Sequence, residues 1–151
     1  MDSKSYQDKA LSFLAEGYNC TQSVFGALAP DLGLKRDLAF KIASAFGGGM
    51  NMGSTCGALT GAMLALGLAA GFGEYSPERK DAFSELNQEL TRRFRKSIGH
   101  LDCRDILQID PPNAAQKQSA RAPAILAARC QNCVKTATDL VVNILHELDI
   151  S

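Results

Sequence analysis

Residues 42–73 read IASAFGGGMNMGSTCGALTGAMLALGLAAGFG, and from Ile42 to Gly73 there is no charged side chain. An uncharged run of this length could cross a bilayer, which takes about 20 apolar residues. Its middle argues against that. Gly47-Gly48-Gly49, Asn51, Gly53, Ser54 and Thr55 are turn-forming and hydrogen-bonding residues, and they break the run with a loop. The remainder, Cys56 to Phe72, is short for a span and rich in Gly and Ala. It reads as a buried helix, capped by Ser54 or Thr55 and running to about Ala70. Gly53, Gly57 and Gly61 recur every four residues. Such a stripe lets another backbone approach closely, at a cost in helix propensity.

The sequence on either side continues helix after helix. Upstream, a helix near Tyr6 to Ala15 carries Tyr6, Ala10, Leu11, Phe13 and Leu14, and Gly17 can cap its end. Asn19 is the cap expected for a second helix through about Leu28, with Pro30, Asp31 and Gly33 in the turn after it. A third helix is expected over Asp37 to Phe46, with Leu38, Ile42, Ala45 and Phe46 on one side. Downstream, Ser76-Pro77-Glu78 supplies a cap, a proline at the first helical position and an acid in the first turn. That helix runs through Phe83, Leu86, Leu90 and Phe94 to about Lys96, and Gly99 stops it. Asp102 could cap a short helix from Cys103 to Leu107, and Asp110-Pro111-Pro112-Asn113 reads as a loop. A last helix is expected from about Ala124, just after Pro123, to Leu148, burying Val134, Ala137, Leu140, Val141, Ile144 and Leu145. There is no period-2 strand, internal repeat or dividing linker. The expectation is an all-α, single-domain bundle of about five to seven helices over the whole chain.

Length and composition agree. The 151 residues allow one domain with a real core. Trp is absent and aromatics make up only 7%, so that core must rest on Ala, Leu, Ile, Val and Met. Lys plus Arg number 16 and so do the acids, which leaves no basic field for nucleic acid. The local patch Arg92, Arg93, Arg95 and Lys96 reads as a solvated helix end. Met1 to Lys9 contains no apolar segment of a secretory signal, so a cytoplasmic, reducing location is expected. There, cysteines more often serve metal or redox chemistry than structural disulfides.

The cysteines are Cys20, Cys56, Cys103, Cys130 and Cys133. Cys20 follows Asn19, Cys56 follows Ser54-Thr55, and Cys103 follows Asp102, so each is expected in the first turn of a helix. Unpaired N–H groups and the helix dipole favour a thiolate there, and the thiolate is both nucleophile and metal ligand. Asp102 would partly oppose this at Cys103. Cys130-x-x-Cys133 puts two sulfurs on one helix face, a spacing suited to a redox pair or half a metal site. The βαβ surroundings of a thioredoxin and the second close pair of a zinc ribbon are missing. A purely structural account competes, because cysteine also packs as a small buried apolar residue. His100 lies three residues before Cys103 but reads as a surface histidine, and His146 has no assigned role. There is no G-x-S-x-G, H-E-x-x-H or P-loop. The glycine-rich Gly47 to Gly53 could cradle an anion, but it reads better as letting the chain approach Cys56.

Cys56-Gly57-Ala58-Leu59-Thr60-Gly61, led by Phe46-Gly47-Gly48-Gly49-Met50 and followed by Leu66-Gly67-Leu68, resembles the CGAxxG core of the C_GCAxxG_C_C family. Members are small bacterial and archaeal proteins with separated cysteines. Gly17-Tyr18-Asn19-Cys20 resembles the family's first cysteine segment, and Cys103-Arg104-Asp105-Ile106-Leu107 its third. Cys130 fits the fourth, with Val134 and Ala137 in the closing helix, and Cys133 is then an extra. The resemblance covers nearly the whole chain and implies redox activity through the cysteines. The ligand set it implies is Cys20, Cys56, Cys103 and Cys130 around an iron–sulfur cluster, with Gly57 and Gly61 beside the cofactor. In the thiol alternative Cys56 and Cys20 are the catalytic pair. A zinc site without redox chemistry and a structural helical domain are the other readings. Larger relatives resemble multihaem cytochromes, but no C-x-x-C-H is present, so covalent haem is not expected. An electron-transfer or thiol partner is implied, and the glycine-striped helix leads to the expectation of a homodimer.

Overall fold

A computed structural model describes residues 1–109 and 124–150. The loop at Asp110-Pro111-Pro112-Asn113 and Pro123 lie outside the described residues. Among the described residues the chain is all-α, with helices α1 (Ser3–Glu16), α2 (Cys20–Leu28), α3 (Arg36–Ala43), α4 (Gly57–Ala70), α5 (Pro77–Ile98), α6 (Cys103–Leu107) and α7 (Ala124–Glu147). A single 3-10 turn, Ala29–Leu32, follows α2, and an irregular turn, Gly49–Gly53, precedes α4. No helix among the described residues is long and apolar enough to cross a membrane. The apolar α4 has 14 residues, a length of about 21 Å against a hydrocarbon core of about 30 Å.

The helix boundaries follow local chemistry. The Asn19 side chain accepts from the Gln22 N–H at 2.8 Å, and the Gln22 side chain accepts from the Asn19 N–H at 3.1 Å. This reciprocal pair fixes the start of α2, and with it the position of Cys20. Ser76 accepts from the Arg79 N–H at 3.0 Å to start α5, and Gly99 closes that helix in the left-handed conformation.

The centre of the bundle is α2 against α4. Eight of the nine residues of α2 are buried, from Cys20 and Thr21 to Leu28. A Cβ on Gly57 would stand 2.7 Å from Thr21 Oγ1, and one on Gly61 would stand 2.9 Å from the Thr21 carbonyl oxygen. Only glycine permits this approach, and the buried Thr21 hydroxyl uses it to donate to the Gly57 carbonyl at 2.8 Å. Of the expected glycine stripe, Gly57 and Gly61 therefore form a packing seam inside the chain, while Gly53 lies in the turn before α4. α7 lies along α1 and α4 and buries Val134, Ala137, Val141, Ile144 and Leu145, with Leu140 half-buried. α5 packs against α7 and α4 and buries Leu90 and Phe94. Full burial of a Leu or Phe side chain contributes about 1.5–3 kcal/mol, and Phe94, Leu28, Leu59, Leu66, Leu90 and Leu145 all belong to this set.

Two expectations are corrected. The third helix ends at Ala43 rather than Phe46, and its buried face is Ala39 and Ala43. Leu38 and Ile42 are 45% and 44% exposed. Small residues face inward because α3 crosses close to α2, where the Phe40 ring occupies the space beside Gly26. The N-cap of α4 is Cys56 itself rather than Ser54 or Thr55. Ser54 and Thr55 are held instead in a short bridge: the Cys56 N–H donates to the Leu101 carbonyl and the Cys103 N–H to the Ser54 carbonyl, each at 2.7 Å.

Candidate functional site

Helix starts deliver three of the cysteines. Cys20 is the first residue of α2, Cys103 the first of α6, and Cys56 the N-cap of α4. The Thr55–Asp102 bridge ties the beginnings of α4 and α6 together, which brings Cys56 and Cys103 to one place. Gly47 serves the same convergence, because a Cβ there would stand 2.4 Å from Asn19 Cβ and Gly57 approaches the Gly47 Cα. The segment between makes a tight left-handed turn, with Gly48, Gly49, Met50 and Asn51 all near φ 60°. Such a turn is unfavourable for Met50 and Asn51 and tolerated by the glycines. Cys130 and Cys133 come from inside α7, one turn apart on its buried face.

All five cysteines are 1–5% exposed, and among the described residues none is joined in a disulfide. Together with Ile106 and Leu107 of α6 they line one cavity. It offers about 10 Å³ to water centres, room for about one molecule.

The thiols meet in cross-helix pairs. Cys20 is hydrogen-bonded to Cys130, and Cys56 to Cys133. Thus each half of the C-x-x-C motif engages a different helix start. The Cys56 sulfur accepts from the Cys133 thiol first and also from the N–H groups of Ala58 and Leu59, which holds it below the usual thiol range against the opposing effect of burial. Cys133 is pushed strongly upward, first by donating to Cys56 and then by burial and neighbouring sulfur charge. Cys20 is also raised well above the ordinary value, by its bond to Cys130 and by burial. The site therefore pairs a sulfur whose ionisation is eased, Cys56, with one whose proton is held more tightly, Cys133.

Of the ligand set read from sequence, Cys20, Cys56, Cys103 and Cys130 all line the cavity. Cys133, read as an extra, lines it too and touches Cys56. The i,i+3 spacing was its signal, since both sulfurs must share a helix face. Nothing in the sequence marked Ile106 and Leu107 as walls of the site. Gly57 and Gly61 face α2 in the packing seam. His100 is exposed, and the His146 ring hydrogen-bonds the Met1 carbonyl at 2.7 Å, on the surface.

Buried sulfurs under helix N–H groups suit a soft metal or an iron–sulfur cluster chemically. Their spacing does not. Among the described residues no three His, Cys, Asp or Glu side chains are placed to hold one metal ion. The sulfurs, paired around space for about one water, would have to separate to admit a cluster.

Fold and site together define a small helical protein organised around a buried cysteine centre. Residues 18–144 match the family model described as "Putative redox-active protein (C_GCAxxG_C_C)", and the chain belongs to that family. Comparisons with curated proteins and with solved structures gave no match.

Proposed function

We propose that this chain is a dithiol redox protein whose working pair is Cys56 and Cys133, with Cys20 and Cys130 as a second pair. The observation that carries this reading is the Cys56 sulfur, supported by the Ala58 and Leu59 N–H groups and hydrogen-bonded to the Cys133 thiol. A nucleophilic sulfur and its resolving partner are then already in contact. Oxidation joins the two sulfurs. Thiolate plus thiol yields a disulfide, one proton and two electrons, and the electrons pass to a two-electron acceptor. Compared with the pairing of Cys56 and Cys20 expected from sequence, Cys133 takes the resolving role.

The test is a redox titration of reduced, metal-free protein, with acid quenching, alkylation and peptide mapping by mass spectrometry. The expected result is a two-hydrogen mass loss localised to Cys56–Cys133. Five thiols that remain alkylatable at every potential, or a pairing that leaves Cys56 out, would refute the reading.

One observation favours a second reading. Five soft donors shielded from water are poorly placed for exchange with a bulky protein disulfide and are of the right chemistry for a soft metal, once the sulfurs separate to admit it. Cys20, Cys56, Cys103 and Cys130 would hold an iron–sulfur cluster, or zinc in a site without redox chemistry. Iron, zinc and acid-labile sulfide counted on protein purified without oxygen, with its visible spectrum, distinguish these. Matching iron and sulfide would establish the cluster and stoichiometric zinc the structural site, while a colourless metal-free sample would remove both and leave the dithiol to the redox titration.

A further inference from the structure

We propose that the oxidant of this centre is hydrogen peroxide, selected by the size of the cavity in front of Cys56. The inference rests on the dithiol reading and names the substrate class of the same site.

The first argument is space. The cavity bounded by the five cysteines, Ile106 and Leu107 has about 10 Å³ open to water centres, room for about one water. None of the five sulfur-bearing residues is more than 5% exposed. Attack on a disulfide requires Cys56 to approach an S–S bond that carries a substituent on each sulfur, and exchange depends on that access. Among the described residues, the cavity that Cys56 lines is too small for that approach. An organic hydroperoxide brings a carbon group on one oxygen. Hydrogen peroxide is two bonded oxygens with no substituent, the smallest of the three, and so asks for the least widening of a space of about one water.

The second argument is chemistry. Thiolates react with peroxides to give sulfenic acids, and a neighbouring thiol condenses with the sulfenic acid to a disulfide. Cys56 sits at the start of α4, where the Ala58 and Leu59 N–H groups support its sulfur. The thiolate attacks one peroxide oxygen, the O–O bond breaks, and Cys56 becomes S–OH. The departing hydroxide takes the Cys133 thiol proton and leaves as water. The Cys133 thiolate then attacks the Cys56 sulfur, forming the S–S bond and expelling hydroxide. In sum, thiolate, thiol and hydrogen peroxide give disulfide, water and hydroxide. The sulfurs lose two electrons and the peroxide gains them. Because Cys133 is already hydrogen-bonded to Cys56, the resolving sulfur is at hand for the second step.

The experiment compares three oxidants at equal concentration on the reduced, metal-free, full-length chain under anaerobic conditions: hydrogen peroxide, tert-butyl hydroperoxide and glutathione disulfide. Samples are quenched, alkylated and mapped over time. Hydrogen peroxide is expected to form Cys56–Cys133 about tenfold or more faster than either larger oxidant. In Cys133→Ser the sulfenic acid on Cys56 should persist and be captured by dimedone. Cys133→Ala serves if the serine variant fails to fold by circular dichroism, and the three-oxidant comparison on the natural chain stands without either. Equal rates with a larger oxidant, dimedone on a different cysteine, or inertness to peroxide would overturn the proposal. A chain that forms Cys56–Cys133 in the redox titration but ignores peroxide fails this inference alone. A chain that forms it in neither fails the dithiol reading itself.

Discussion

At Gly57 one missing methyl group decides how close two helices can come. A Cβ there would meet Thr21 Oγ1 at 2.7 Å, with Cys20 Cβ and Gly47 Cα both at 3.3 Å. Gly57→Ala is expected to destabilise the chain by about 1–3 kcal/mol through overpacking. Gly67, in the same helix, would bring its Cβ only to 3.8 Å from Phe83 Cζ. Gly67→Ala is expected to be neutral or to stabilise by up to about 1 kcal/mol through helix propensity. Urea denaturation of the two variants separates packing from propensity, and equal effects would refute the seam. At Cys56 the largest influence lowering the thiol's titration is the bond from Cys133. The pH–rate midpoint for oxidation of Cys56 should therefore lie below the ordinary thiol value of about 8.5 and move upward in Cys133→Ala. An unmoved midpoint would show that the Ala58 and Leu59 N–H groups act alone. The CGAxxG motif made Cys56 and its glycines legible in the sequence. The Cys133 contact was not legible, because a hydrogen bond between residues 56 and 133 depends on how α4 and α7 cross.

Among the elements, α6 is the short cover of the site. It has five residues, ends at Gln108 in the left-handed conformation, and contributes Cys103, Ile106 and Leu107 to the cavity wall. From α7, the Arg129 guanidinium donates to the carbonyls of Ile106 and Leu107 at 3.3 and 3.4 Å. These bonds satisfy carbonyls at the open end of α6 and fasten it over the sulfurs. Removing a partly exposed hydrogen bond of this kind costs about 1 kcal/mol. Arg129→Ala should therefore speed alkylation of the buried cysteines by about fivefold while leaving the helical circular dichroism unchanged. An unaltered alkylation rate would mean that α6 does not control access. The element boundaries were largely readable from caps such as Asn19, Ser76 and Gly99, since capping is a local hydrogen-bond problem. The face of α3 was misread because the apolar residues Leu38 and Ile42 lie outward while alanines pack the interface. Close approach to α2 selected small residues there over hydrophobic ones.

For the molecule as a whole, one buried phenol contributes to stability on the alkaline side, beside the raised thiols of Cys20 and Cys133. Tyr6 donates to Asp31 at 2.5 Å, joining α1 to the turn after α2. Burial first, then the hydrogen bond and charge of Asp31, push its pKa up to about 12. The folded value lies above the unfolded value, so this stabilisation is complete below about pH 10 and is lost as the pH rises toward 12. Tyr6→Phe should cost about 1 kcal/mol near neutral pH and flatten the fall in stability between those limits, as read by thermal melts against pH. An identical alkaline fall in the variant would place the responsible group elsewhere. The glycine stripe that led to the expectation of a homodimer is used within the chain, against α2. The dimer stands as a proposal on the exposed Leu68, Phe72 and Tyr75. It predicts a concentration-dependent shift in sedimentation, and a monomer at high concentration would remove it.

By itself the sequence determined the helical class, most helix starts and stops, the family and four of the five cavity cysteines. These are local or motif-borne properties, written in periodicity, caps and short spacings. Only the tertiary structure decided which sulfur meets which, that Cys133 stands with Cys56, and that α6 closes a space of about one water in front of them. The reason is geometric. Residues 20, 56, 103, 130 and 133 become neighbours through helix crossings set by glycine seams and the Thr55–Asp102 bridge. A cavity is the space those crossings leave over, and no single stretch of sequence encodes it.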